Sequence, residues 1–168
     1  MLDQAFMKEK GFPKAEQHDI VIVFGDLNFR TSGLSYDEAL QLVNSGNYLA
    51  LASHDELVMI KADQSSGNNS TAFNTELQDI LKERDTSRLL LALNEGELLF
   101  PPTYKFDKLS SRYDSSKQKR VASYCDRVLF LDNPDCLGLV EYRGMAKEKA
   151  TFSDHKPVTA VFQVYTKQ

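Results

Sequence analysis

Cysteine is scarce in this chain of 168 residues: Cys125 and Cys136 are the two present, and no Cys-x-x-Cys spacing joins them. That argues against a disulfide framework or a thiolate zinc site and fits a reducing compartment. Long apolar runs are lacking as well, since none approaches the ~18 residues needed to span a bilayer. The opening residues, MLDQAFMKEKGF, hold no apolar core of a secretory leader. A cytoplasmic protein is expected, with contact at a membrane surface left open. Positive charge is also short: 20 Lys and Arg face 24 Asp and Glu, a net −4. Bulk nucleic-acid binding is therefore not expected.

What is present is an ordinary globular composition, 42% hydrophobic and 26% charged, at a length that suits one domain. The charge is uneven. Residues 103–127 hold seven Lys and Arg against three Asp and Glu, a local +4, which leaves −8 for the rest. A basic island in an acidic chain suggests a local anionic ligand; a solvated loop is the plain alternative.

Helical spacing of Leu2, Ala5 and Phe6 predicts a short N-terminal helix that ends at Gly11 and Pro13. The apolar run Ile20–Phe24 reads as a strand buried on both faces. Ser35 and Glu38 form a capping box ahead of Ala39, Leu40 and Val43, and a second helical stretch covers Tyr48 to Ile60. Residues 63–74, DQSSGNNSTAFN, read as a loop, and residues 75–85 as a short surface helix. Pro101-Pro102 stop regular structure after Leu98-Leu99-Phe100. Further strands are expected at Tyr124–Leu131, Leu137–Tyr142 and Val158–Val164. Strands mixed with helices indicate an α/β chain.

Polar clusters sit at three of these strand ends: Asp26 and Asn28 in GDLN, Asp126-Arg127 in CDR, and Ser153-Asp154-His155 in SDH. Each is compatible with turn capping, but loops at the ends of a rigid sheet are also where reactive groups collect. The segments HDIVIVFGDLNFR, FPPTYKF, SYCDRVLF and FSDHKPV occur in that order. Together they resemble the C-terminal half of an inositol polyphosphate 5-phosphatase catalytic domain. GDxN and SDH are common to the wider endonuclease/exonuclease/phosphatase superfamily, whereas the Pro-Thr-Tyr-Lys and Cys-Asp-Arg blocks are particular to the 5-phosphatases.

The resemblance implies an α/β fold, half of a four-layer α/β/β/α sandwich of the DNase I-like kind, with residues 1–168 as the C-terminal part of one catalytic domain and an insertion at about 63–88. It implies magnesium-dependent hydrolysis of the 5-phosphate of a phosphoinositide lipid or soluble inositol phosphate. Such a reaction needs a site that orients water and absorbs negative charge. By the same resemblance Asp26 orients or deprotonates the attacking water, Asn28 donates to a phosphoryl oxygen, His155 bonds the same group and Asp126 holds the His155 ring. Asp154 belongs to the metal or water network. Tyr104 and Lys105 match the residues that hold the neighbouring 4-phosphate, with Arg120 and either Lys117 or Lys119, which flank Gln118 where the family has Lys.

Two substitutions depart from that pattern: Ala122 stands for the family's Pro and Tyr124 for its Trp. Cys125 reads as a small buried hydrophobe, Arg127 as a structural partner of a carboxylate, and His18 and His54 as surface or turn residues. The family's N-terminal half, with its magnesium-binding Glu, an Asn and a further His, has no counterpart in residues 1–18, so this chain is expected to need that half as a partner. A peripheral membrane surface is a further expected partner, and nucleic acid is not. The alternative is a non-catalytic phosphoinositide-binding or regulatory module without the metal site; a nuclease of the same fold is a third reading.

Overall fold

A computed structural model describes residues 15–66, 89–145 and 152–166. The expected N-terminal helix, the helix at 75–85 and most of the insertion at 63–88 lie outside these residues. After a 3-10 turn at Ala15–Gln17 come β1 (Ile22–Asp26), α1 (Tyr36–Ser45), α2 (Tyr48–Ala52), α3 (Glu56–Ser66), β2 (Leu93–Glu95), β3 (Asp126–Leu131), β4 (Leu137–Gly144) and β5 (Val158–Val164). No helix among the described residues is long and apolar enough to cross a membrane.

One sheet has the order β1-β3-β2 and the other pairs β4 with β5. Every pairing is antiparallel. The β1–β3 register sets Ile22 against Phe130 and ends with Asp26 directly opposite Asp126. The two sheets meet through β3 and β5, where the rings of Phe130 and Phe162 stand edge to face, 5.2 Å apart.

Alternation along β1 decides what it buries. Val21 and Val23 pack on a core of Phe29, Leu57, Ile60, Leu89, Leu90, Leu93 and Leu129. The opposite face carries Ile22 and Phe24 towards Asp26, and Phe24 is 75% exposed. The expectation of burial on both faces is therefore corrected: among the described residues β1 is an edge strand covered on one face only. A continuous apolar run identifies a strand but not what covers it.

Helix α1 starts as its sequence predicts. Ser35 Oγ accepts from the Glu38 N–H, and the Glu38 carboxylate takes the Ser35 N–H at 2.8 Å. Gly46, with φ 70°, closes the other end in the left-handed conformation that glycine adopts without strain. The single helix expected from Tyr48 to Ile60 is two. Asp55 breaks it, because its Oδ1 accepts from the N–H groups of Leu57 and Val58 and so caps α3. Helix α3 then runs to Ser66, so residues 63–66 are helical rather than loop. A second core of Ala39, Leu51, Ala52, Leu98, Phe100 and Tyr124 packs α1 and α2 against Tyr142 and Val158.

Beneath the site lies a buried ionic network. Arg127, 1% exposed, sits with its guanidinium 2.9 Å from both oxygens of Asp55 and bonds Glu95 through Nε (2.7 Å) and Nη2 (2.6 Å). Glu95 also accepts from the Tyr142 hydroxyl. Burial works against the Arg127 charge, but Asp55 and Glu95 more than offset it and raise its pKa. Burial pushes Asp55 up against the pull of Arg127. Arginine does not lose its proton in proteins, so the buried guanidinium stays charged. The expected role of Arg127 as a structural charge partner is what the fold shows.

Candidate functional site

The end of the first sheet carries the polar cluster. Strand pairing alone sets Asp26 beside Asp126. The chain then turns sharply: Leu27 N–H donates to the Cys125 carbonyl, and Asn28, with φ 61°, gives its N–H to Asp26 Oδ1 at 3.0 Å. Asparagine tolerates this left-handed conformation better than most residues. His155 arrives from the loop before β5, with its N–H on Ser153 Oγ. Its Nδ1 lies 3.0 Å from Asp126 Oδ2 and 3.2 Å from Oδ1, and its Nε2 lies 3.9 Å from Asp26 Oδ2. With Nδ1–H engaged by Asp126, Nε2 is the nitrogen left to face a ligand. The 3.9 Å separation exceeds hydrogen-bond length, so Asp26 and Nε2 do not consume each other.

Ligand-type atoms of Asp26, Asp126 and His155 lie within 4.8 Å of one another. Asp154 is not in this group. It is half-buried and its carbonyl accepts the Phe106 N–H at 2.9 Å, which ties the His155 loop to the loop after Pro102.

The expected substrate residues divide. Tyr104 belongs with the cluster: its ring centroid is 4.6 Å from that of His155. Lys105 lies 4.0 Å from Asp114, which also takes the N–H groups of Ser116 and Arg120. Burial raises the Asp114 pKa, but those donors and the Lys105 charge outweigh it and hold it below the ordinary carboxylate range. Lys117, Lys119 and Arg120 are exposed, and Lys119 sits 5.4 Å above the Tyr36 ring. Among the described residues no hydrogen bond or ion pair joins these three to the cluster. The basic loop is organised around Asp114.

Two participants have no role expected from the sequence, although both lie within the motifs that carry the resemblance. Thr103, fully buried, donates its hydroxyl to Asp126 Oδ2 at 2.7 Å. Arg30 places its guanidinium 4.4 Å above the Tyr104 ring and donates to Asn28 Oδ1. Thr103 was legible only as a neighbour of Tyr104, and Arg30 only as the residue two beyond Asn28. Cys125 is buried, hydrogen-bonds the Phe29 carbonyl, and burial pushes its thiol up to about 12, so it stays a neutral thiol. His54 sits in the turn between α2 and α3, with Nδ1 3.1 Å from the Ser32 carbonyl. A groove of about 760 Å³ between Tyr36, Tyr48, Phe106 and Tyr113 holds none of the cluster residues.

A carboxylate, a carboxamide and an Asp–His pair thus converge at the ends of antiparallel strands. A profile for Endonuclease/Exonuclease/phosphatase family 2 matches residues 3–74 and 64–161. The chain belongs to the endonuclease/exonuclease/phosphatase family 2. Its likeness within that group lies with the inositol polyphosphate 5-phosphatases. It is 31% identical to the synaptojanin of Caenorhabditis elegans over 163 residues, 95% of this chain and 12% of that protein. It is 32% identical to the type IV inositol polyphosphate 5-phosphatase 6 of Arabidopsis thaliana, over 92% of this chain and 21% of that one. The crystal structure of the inositol polyphosphate 5-phosphatase domain of SPsynaptojanin, in complex with inositol (1,4)-bisphosphate and calcium ion, matches with a TM-score of 0.65 at 27% identity, over 93% of this chain and 38% of that one. A Cimex nitrophorin ferrous NO complex matches with a TM-score of 0.63 at 23% identity, covering 96% of this chain and 45% of that one, which bears on the fold alone. The chain thus spans less than half the length of each of these proteins.

Proposed function

We propose that this chain forms the Asp–Asn–Asp–His portion of a site that hydrolyses the 5-phosphate of phosphoinositides or inositol polyphosphates by in-line attack of water. The observation that carries the reading is the alignment of Asp126, His155 and Asp26, with Nδ1 held at 3.0 Å and Nε2 directed to the side where Asp26 lies. Asp26 accepts a proton from the attacking water or orients it. Nε2 and the Asn28 carboxamide meet the phosphoryl oxygens, where charge accumulates. Asp126 fixes the ring, and Thr103 fixes Asp126. Tyr104 walls one side, and Lys105 supplies a movable cation for a neighbouring phosphate.

Magnesium belongs to this reading. The carboxylates of Asp26 and Asp126 would offer the oxygen donors a hard divalent cation needs, whereas Asp154, expected from the resemblance to serve the metal, stands outside their cluster. When bound, the cation neutralises charge on the phosphoryl group. Two carboxylates fall short of an octahedral set, so elements of the matched domain that this chain does not cover are proposed to complete it. Action in the cytoplasm, at a membrane surface when the substrate is a lipid, is part of the same proposal.

The test is phosphate release, with magnesium, from a 4,5-bisphosphorylated inositol lipid and from its 4-monophosphate counterpart, by the full protein that carries this chain. Release from the first substrate only supports the reading. Equal turnover of both removes the positional assignment, and binding without hydrolysis of either favours a non-catalytic module.

A further inference from the structure

Asn28 does its proposed work only if its N–H2 edge, and not its oxygen, faces the phosphoryl group. A carboxamide can turn over, and the two orientations have nearly the same shape. Something must hold it, and the structure shows what does. Arg30 Nη2 donates to Asn28 Oδ1. Arginine has five donors and no acceptor, so the amide edge that faces Arg30 must be the oxygen. The N–H2 group is then turned to the other edge.

Arg30 is itself firmly placed. Its backbone N–H donates to Glu56 Oε2 at 2.8 Å, and its carbonyl accepts from the Glu56 N–H at 3.0 Å. The next residue, Thr31, gives its N–H to Ser123 Oγ and its hydroxyl to the Ala122 carbonyl. The guanidinium lies over Tyr104, whose ring in turn lies against His155. One side chain therefore touches the Asn28 amide on one side and the ring that backs His155 on the other.

We propose that Arg30 is a positioning residue that locks the Asn28 carboxamide with its N–H2 toward the phosphoryl group and braces Tyr104 against His155. This rests on the functional reading above for the identity of the ligand, but not for the lock itself. If the lock is lost, the amide can turn an oxygen toward phosphoryl oxygens, so a donor is replaced by a repelling acceptor.

The experiment has two arms. In the first, the side-chain amide cross-peaks of Asn28 are followed by NMR in the full chain as inorganic phosphate is added. Arg30→Met is expected to shift these peaks and to abolish or weaken at least tenfold their response to phosphate. In the second, kcat and KM are measured in the full protein for Arg30→Met, Asn28→Ala and both together. Arg30→Met is expected to lower kcat about 10- to 100-fold, with KM changed by less than about threefold. Added to Asn28→Ala, it should cost clearly less than Arg30→Met does alone, because the part that acts through Asn28 is already gone. Arg30→Lys keeps one donor without the planar fork and should recover part of kcat; it also serves if Arg30→Met does not fold.

Independent, multiplying losses would overturn the lock. So would a rise in KM with kcat intact, which would mean Arg30 grips substrate directly. Should the protein hydrolyse no inositol phosphate, the functional reading fails while the NMR arm still decides: an Asn28 response to phosphate that is unchanged in Arg30→Met overturns the proposal, and one that is lost or weakened about tenfold supports it.

Discussion

Replacing Asp55 by Asn probes the buried network that supports the site. Asp55 is fully buried and does two things: it neutralises Arg127 and it caps α3. Asparagine is as good a cap as aspartate, so Asp55→Asn removes the charge and keeps the cap. Breaking a buried ion pair by removing one partner costs about 3–5 kcal/mol. The lower end applies, because Glu95 still bonds Arg127 through Nε and Nη2. A loss of about 3 kcal/mol lowers the melting temperature by roughly 6–12 °C in a chain of this size. Asp55→Ala loses the cap as well and should cost about 1 kcal/mol more. Arg127→Met should cost the most, about 5 kcal/mol, since it strands two buried carboxylates. In that variant burial raises the Asp55 pKa with no cation to oppose it. A raised folded-state pKa gives stability that is present at low pH and lost as pH rises, so Arg127→Met should be relatively more stable at pH 5 than at pH 8. Urea unfolding followed by circular dichroism measures all three variants. An Asp55→Asn cost below about 1 kcal/mol would refute the reasoning, because surface ion pairs give values that small.

Three further outcomes follow from the same contacts. Thr103→Val keeps the shape but removes the hydroxyl that Asp126 accepts; kcat should fall about tenfold with little change in unfolding midpoint, measured in the phosphate-release assay and by thermal melting. Cys125, pushed up to about 12 by burial, should resist iodoacetamide at pH 8 in the folded chain and react in urea; because its folded pKa is raised, it contributes stability that is complete below the ordinary thiol range and lost as pH climbs toward 12. Asp114 is held below the ordinary carboxylate range, so its contribution is present above that range and lost as pH falls through its lowered value; Asp114→Asn should flatten the acid limb of the stability–pH curve measured by chemical unfolding.

What could be read in the sequence was local. The capping box at Ser35 and Glu38 lies within one turn, and β5 falls at Val158–Val164 as its apolar run predicts. GDLN, CDR and SDH could be read because each places polar groups at a strand end within a few residues. Contacts between distant residues could not be read. Arg127 meets Asp55 across 72 residues and Glu95 across 32, and nothing in either neighbourhood marks the partner. The helix break at Asp55 comes from its side chain capping α3, which apolar periodicity does not report, so α2 and α3 read as one helix. Strand β2 has three residues, Leu93–Glu95, too short for an alternation to be seen. Lys117, Lys119 and Arg120 were placed by resemblance to the family's phosphate-holding positions, and the structure shows them as exposed side chains. Arg30 was missed because an arginine after a polar turn has many uses, and only coordinates show it against Asn28 and Tyr104.

The most direct test of the central claim, that Asp26, Asn28, Asp126 and His155 act on one phosphoryl group, is a kinetic cycle in the full protein with a 4,5-bisphosphorylated inositol substrate. Asp26→Asn and His155→Ala are each expected to lower kcat by about a thousandfold or more, and the double variant should be little worse than either single one. Activity that survives in either single variant, or losses that multiply in the double, would contradict it.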